Sequence, residues 1–135
     1  MKIKIIVISI LLLSIKSFAQ TEAKNEISIS QNPDSAAVFN NKPGGVNKFR
    51  EEVAKRIDLS GYNWKSSFTL EFSFVVDTNG KITDVKAEKS SGIQEFDDRF
   101  IYAIKSFSKK WAPAKVNGVP VRSRFKIPFN ISAMN

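Results

Sequence analysis

The 135-residue sequence contains no cysteine and no histidine. Without cysteine, the fold has neither disulfide bonds nor thiolate metal sites to stabilise it. Without histidine, there is no Ser-His or Cys-His pair for nucleophilic catalysis and no imidazole to bind zinc. These two absences exclude the commonest hydrolase and metal-site chemistries before any motif is considered.

Carboxylate chemistry is the remaining route to catalysis, and the acidic residues are not arranged for it. The acids closest in sequence are Glu51-Glu52, Asp97-Asp98, and Asp77 with Asp84. Adjacent residues on a helix do not face each other, so neither of the first two pairs can act together. Near a helix N-terminus such acids are ordinary surface charges. The sequence therefore predicts no enzymatic activity, no cofactor and no metal site.

Residues 1–19 have the layout of a secretory signal peptide. A basic start precedes an apolar run over Ile5–Ile15, and Ser17-Phe18-Ala19 resembles a small-x-small cleavage site. A membrane-spanning helix needs about 20 apolar residues, and Lys16 interrupts this run. We expect export and cleavage between Ala19 and Gln20, with an uncleaved membrane anchor as the alternative.

The positive charge of the chain does not point to a specific partner. Removal of residues 1–19 takes away three lysines and no acid, so the net charge falls from +8 to +5, or 18 minus 13. The basic residues are scattered, which indicates a solvated surface more than a basic binding site. Export makes nucleic acid an unexpected partner.

Residues 20–42 are polar and have no clear period, which predicts a linker. Within it, Ile27 and Ile29 alternate with serines, a weak signal of a short docking strand. Apolar residues then recur at helical spacing from Val46 to Ile57 and again over Phe96–Phe107. Both stretches are predicted to be amphipathic helices that cover a sheet.

The strands are predicted from residues that alternate between apolar and polar side chains. Phe68–Val76 alternates strictly, and Asp77-Thr78-Asn79-Gly80 then forms a hairpin loop. The second strand covers Lys81–Lys89, and its slip in alternation predicts a bulge near Thr83-Asp84. After an Asn117-Gly118 turn, the last strand covers Val119–Phe129.

The last strand is predicted to lie at a sheet edge. Pro120 and Pro128 cannot donate backbone hydrogen bonds, and prolines of this kind are confined to edges or strand ends. An exposed edge can accept an additional strand from a partner.

These motifs, in this order, resemble the TonB C-terminal domain family, in the version common in Bacteroidetes-type envelope proteins, from roughly Pro43 to Ile131. The resemblance rests on Pro43-Gly44-Gly45, Phe74-Val75-Val76-Asp77-x-x-Gly80-Lys81-Ile82-x-Asp84-Val85, Trp111-x-Pro113-Ala114 and Asn117-Gly118-x-Pro120-Val121. It implies an α+β domain over residues 43–135, with two helices packed on a three-stranded antiparallel sheet.

The resemblance also implies a periplasmic protein-binding module associated with TonB-dependent transport. Its partner would be an outer-membrane receptor or another envelope protein, paired as a strand added to the edge. The edge residues would be Val121, Arg122, Ser123, Arg124, Phe125, Lys126 and Ile127. The three cations could select the partner by charge, although charged residues also guard edges against aggregation.

Two other functions and a second partner stay open. A membrane-anchored energy transducer would need an uncleaved N-terminus and a long proline-rich stretch, whereas the sole proline of residues 20–42 is Pro33. A secreted carbohydrate-binding or hydrolase domain would use Tyr62 and Trp64, if their rings are exposed. The sheet edge could also pair two copies of the chain in a homodimer.

Intact mass and cell fractionation in a Gram-negative host test the predicted export. We expect a periplasmic species that lacks residues 1–19 and begins at Gln20. A species of full mass in the inner membrane would contradict this prediction and favour the energy transducer.

Overall fold

The computed structural model describes residues 29–30, 33, 35–41 and 45–134. The predicted signal peptide, its cleavage site between Ala19 and Gln20, and most of the predicted linker lie outside the described residues. Within the described part of the chain, no helix is both long enough and apolar enough to cross a membrane.

The described residues form one three-stranded sheet, two helices and two small strand pairs. The elements are β1 (Val38–Phe39), α1 (Gly45–Lys55), β2 (Phe68–Val76), β3 (Ile82–Lys89), α2 (Gln94–Lys105), β4 (Trp111–Ala112), β5 (Ala114–Val116), β6 (Val119–Val121) and β7 (Ser123–Ile131). The sheet is antiparallel with the order β3-β2-β7, while β1 pairs with β4 and β5 with β6. The predicted α+β fold is confirmed.

Phenylalanine rings form most of the core between the helices and the sheet. β2 completely buries its even-numbered side chains over Leu70–Val76, as the alternation predicts. On α2, Phe96 and Phe100 face the sheet, and the Phe100 ring stacks on Phe72 with 5.2 Å between ring centroids. Each fully buried large apolar side chain stabilises the fold by about 1.5–3 kcal/mol.

Residues 35–41 differ from the polar linker that the sequence predicts over 20–42. Ser35 exchanges two backbone hydrogen bonds with Lys115, and Val38–Phe39 pairs with β4. The Phe39 side chain is 1% exposed. Its ring packs against Phe49, Phe107 and Trp111. A single phenylalanine in a polar stretch creates no repeating pattern of apolar residues. Hydrophobic periodicity therefore could not show that Phe39 belongs to the core.

Gly45 explains part of the Pro43-Gly44-Gly45 motif. A Cβ atom at this position would lie 2.7 Å from the Phe39 carbonyl oxygen and 2.9 Å from the Phe39 nitrogen. Only glycine therefore lets the start of α1 lie this close to β1.

The predicted last strand, Val119–Phe129, is two strands in the structure. β6 pairs back onto β5 across the Asn117-Gly118 turn, where both residues have positive φ as predicted. The chain leaves this hairpin at Arg122, and β7 begins with Ser123 opposite Val76. The prediction of one strand was wrong because the apolar and polar alternation continues through the change of sheet.

The predicted bulge in β3 is confirmed. The register between β2 and β3 shifts between Ser73 and Val75, and Asp84 has a φ of 52°. Aspartate tolerates this left-handed conformation better than most residues.

Phe100→Ala should lower the free energy of unfolding by about 3–5 kcal/mol, because it leaves a cavity under the sheet. Urea unfolding measures the change. Tyr102→Ala is the matched control on the same helix, because Tyr102 is 79% exposed, and it should change stability by less than about 0.5 kcal/mol. Equal effects of the two substitutions would show that α2 packs through another face.

Candidate binding edge

β7 lies at one edge of the three-stranded sheet. One side of β7 pairs with β2, and the other side has no neighbouring strand in this sheet. Backbone groups of successive residues point to opposite sides of a strand. The Arg122 carbonyl accepts a hydrogen bond from the Ser30 N–H at 2.9 Å, outside the pairing with β2. The even-numbered residues of β7, like Arg122, therefore direct their backbone groups to the side of the strand that faces away from β2. They are Arg124, Lys126, Pro128 and Asn130.

Pro128 agrees with this assignment. Proline has no N–H, and within a sheet it occupies positions whose nitrogen faces an unpaired edge. Among the described residues, no hydrogen bond outside the sheet joins another backbone group to the N–H of Arg124, Lys126 or Asn130. These backbone groups form the free edge, defined here as Arg124–Asn130.

The predicted edge residues Val121–Ile127 divide into three groups in the structure. Val121 belongs to β6 and pairs with Ala114, so it lies outside the free edge. Ser123 and Ile127 are buried, and Phe125 stacks on Phe74 with 5.5 Å between ring centroids. Only the even-numbered residues present side chains to the outer face.

The predicted row of three cations is mostly engaged within the molecule. Arg124 Nη2 lies 2.5 Å from Asp84 Oδ2, and Arg122 Nε lies 3.8 Å from Asp77 Oδ1. Lys126 forms no ion pair or hydrogen bond with the described residues through its side chain. Its positive charge nevertheless contributes to lowering the pKa of Glu88. All three cations therefore interact with acids of the fold, and selection of a partner by this row stays a prediction.

A polar layer covers the outer face of the sheet. The hydrogen bond from Arg124 holds the pKa of Asp84 below its ordinary value. The Ser73 hydroxyl donates to Glu88 Oε1 at 2.6 Å and lowers the pKa of Glu88. Beneath this layer, Ser73 and Val75 are both 0% exposed, although the alternation predicts a half-buried strand with this face outward.

The N-terminal segment meets the start of the free edge. Ile29 forms a parallel β-bridge with Arg122, beside the Ser30 hydrogen bond. Ile29 therefore contacts the domain through an isolated bridge, and the docking strand predicted over Ile27 and Ile29 stays a prediction because Ile27 lies outside the described residues. The sequence pattern could not identify the surface on which the segment docks.

Residues 67–131 match the family model described as Gram-negative bacterial TonB protein C-terminal. This part of the chain is a TonB C-terminal domain. The match contains α2 and the whole three-stranded sheet, and it ends at the last residue of β7. It confirms the resemblance and begins later than the predicted start at Pro43.

Two solved structures are similar, both of them solution structures of the TonB C-terminal domain of Helicobacter pylori. One is 21% identical with a TM-score of 0.46, and the similarity covers 64% of this chain and 91% of that chain. The other is 22% identical with a TM-score of 0.41, covering 69% and 88%. No curated protein matches the chain.

The TonB C-terminal domain associates this protein with TonB-dependent transport. The domain is of a periplasmic type, and its family is non-enzymatic. Family members typically interact with outer-membrane receptors.

Tyr62 and Trp64 do not form an exposed platform for a sugar. Their rings stack on each other at an interplanar angle of 2°, and both pack edge-on against Phe96. The indole nitrogen of Trp64 is buried. Both side chains are half-buried and pack against the core, which weakens the case for a carbohydrate-binding domain.

The acidic pairs considered as catalytic candidates have structural contacts. Glu52 forms ion pairs with Lys48 and Lys55 on the surface of α1. Asp97 is buried, in contrast to the predicted surface charge, and accepts hydrogen bonds from the Ser90 hydroxyl and the Ser91 N–H. Among the described residues, no three acidic side chains lie close enough together to hold a metal ion.

Asp84→Asn should destabilise the TonB C-terminal domain only above the pH range in which Asp84 titrates. The folded-state pKa is lowered, so the Arg124 contact stabilises the fold above the unfolded pKa of about 3.9 and is lost as pH falls through the folded value. An exposed pair of this kind contributes at most about 1 kcal/mol. Asparagine also tolerates positive φ, so the substitution isolates the charge.

Thermal unfolding between pH 7 and pH 2 measures this effect. Arg124→Gln removes the other partner and should lose stability over the same pH range. A stability difference between the natural protein and Asp84→Asn that persists at pH 2 would contradict the ion-pair explanation.

Proposed function

We propose that this protein is a periplasmic binding module that pairs by strand addition with a TonB-dependent outer-membrane receptor or another envelope protein. The observation that carries the proposal is the free edge Arg124–Asn130. Its outward backbone groups, interrupted only by Pro128, can pair with an extended segment. Main-chain hydrogen bonds would supply the affinity.

The proposed contact surface is shifted along the chain from the predicted Val121–Ile127. Val121 is committed to the β5–β6 hairpin, and the Arg122 carbonyl is occupied by Ser30. The pairing segment therefore lies opposite Arg124–Asn130. The exposed ammonium group of Lys126, which forms no close ion pair with the described residues, favours an acidic side chain on the outer face of the added strand.

The proposal includes export, with residues 1–19 removed as a signal peptide. It also places the start of the folded domain at about Ser35 in place of Pro43, because β1 contributes Phe39 to the core. A membrane-anchored energy transducer is the alternative, and the intact mass of the exported protein distinguishes the two.

A photo-crosslinking amino acid at Asn130 tests the proposal in the envelope of a Gram-negative host. We expect an adduct with the periplasmic segment of a TonB-dependent receptor, identified by mass spectrometry of the crosslinked peptide. The same amino acid at Lys109, an exposed residue beyond the end of α2, is the control and should give no such adduct.

Lys126→Pro and Lys126→Ala separate the backbone from the charge. Lys126→Pro removes an outward N–H from the free edge and should abolish the adduct while the domain stays folded. Lys126→Ala keeps the backbone N–H and should retain most of the crosslinked adduct. Crosslinking that survives in folded Lys126→Pro would show that the partner uses another surface.

A further inference from the structure

A groove lies beside the free edge, on the helix side of the sheet. Its volume is about 380 Å³. Phe100, Phe129 and Ile131 contribute to its apolar floor, and Ala54, Ile57 and Leu59 to its walls. Pro128 and Asn130, two residues of the free edge, complete it on the side of β7. The groove and the free edge therefore form one continuous surface.

An added strand would direct every second side chain into this groove. Side chains of a strand alternate between the two faces of a sheet, and residues directly opposite each other point to the same face. Phe129 points to the helix side. The residue of the added strand that lies opposite Phe129 therefore points to the same side, where α1 forms the far wall.

Of the two charged residues that line the groove, Glu51 has an ion-pair partner and Arg50 has a neutral hydrogen-bond acceptor. The Arg50 guanidinium donates to Asn47 Oδ1 at 3.3 Å, and Glu51 pairs with Lys48 at 3.5 Å. A charged side chain placed over Phe100 and Phe129 would lose hydration against buried apolar rings. An aliphatic side chain would instead remove apolar surface from water.

We infer that the partner segment carries an aliphatic side chain opposite Phe129, and that the groove between α1 and β7 binds it. This inference rests on the proposed strand addition and specifies its side-chain chemistry. The backbone pairing supplies general affinity, and the groove selects which extended segments bind. Ala54 is the selecting wall residue, because its small side chain leaves the groove open.

A tethered strand tests the inference without a known partner. The full-length chain is extended at Asn135 by a flexible ten-residue Gly-Ser linker and a seven-residue strand designed to lie opposite Arg124–Asn130. Tethering raises the effective concentration of the strand to the millimolar range. The residue opposite Phe129 is leucine, serine or aspartate. Hydrogen exchange at the N–H groups of Arg124, Lys126 and Asn130 reports pairing.

The leucine strand should slow exchange at these three amides by at least about tenfold more than the serine strand. Aspartate should protect them least. Ala54→Phe fills the groove and should remove the advantage of leucine. Lys55→Phe introduces the same ring at the next, exposed position of α1, outside the groove lining, and should preserve that advantage.

Three results would overturn the inference. Equal protection by all three strands would leave strand addition in place and exclude the groove as a selecting site. No protection by any strand would refute strand addition at this edge, and the inference with it. Protection in the chain without a tethered strand, rising with protein concentration, would assign the edge to a second copy of the chain.

Discussion

β2 and β7 pair antiparallel over nine residues, from Phe68 opposite Ile131 to Val76 opposite Ser123. A shift of one residue would turn every β7 side chain to the other face of the sheet and expose the apolar set. With no disulfide to fix the chain, burial of these side chains is the main constraint on the register. The positions of the candidate edge and groove follow from it.

This register has three consequences at the candidate site. It sets Pro128 where the missing N–H faces away from β2, so no ladder hydrogen bond is lost. It places Arg124 opposite Val75, from where the guanidinium reaches across the sheet to Asp84. It also puts Phe129 on the floor of the groove beside α1. One pairing therefore supplies the free edge, the outer polar layer and the neighbouring apolar groove.

The N-terminal segment links the core to the start of that edge. Phe39 packs with Phe49 and Trp111 inside the domain, and Ser35 bonds to Lys115. Ser30 then bonds to Arg122, the residue just before β7. A stretch whose composition resembles a linker thus occupies the backbone carbonyl just before the free edge. Acids within the fold also engage the cations of this edge: Asp77 pairs with Arg122 and Asp84 with Arg124, while Lys126 has no close ion pair among the described residues.

The sequence by itself determined the elements whose signal is local. Alternation identified β2, helical spacing identified the buried stripe of α2, and the slip in alternation located the bulge near Asp84. The prolines showed that the last strand lies at an edge, and the order of the motifs indicated the family. Only the tertiary structure decided the division of the last strand at Arg122, the burial of Phe39 and the partners of the arginines. These features depend on contacts between residues far apart in the chain, such as Arg124 with Asp84. The spacing of apolar and polar residues within one segment does not indicate which distant residues are in contact.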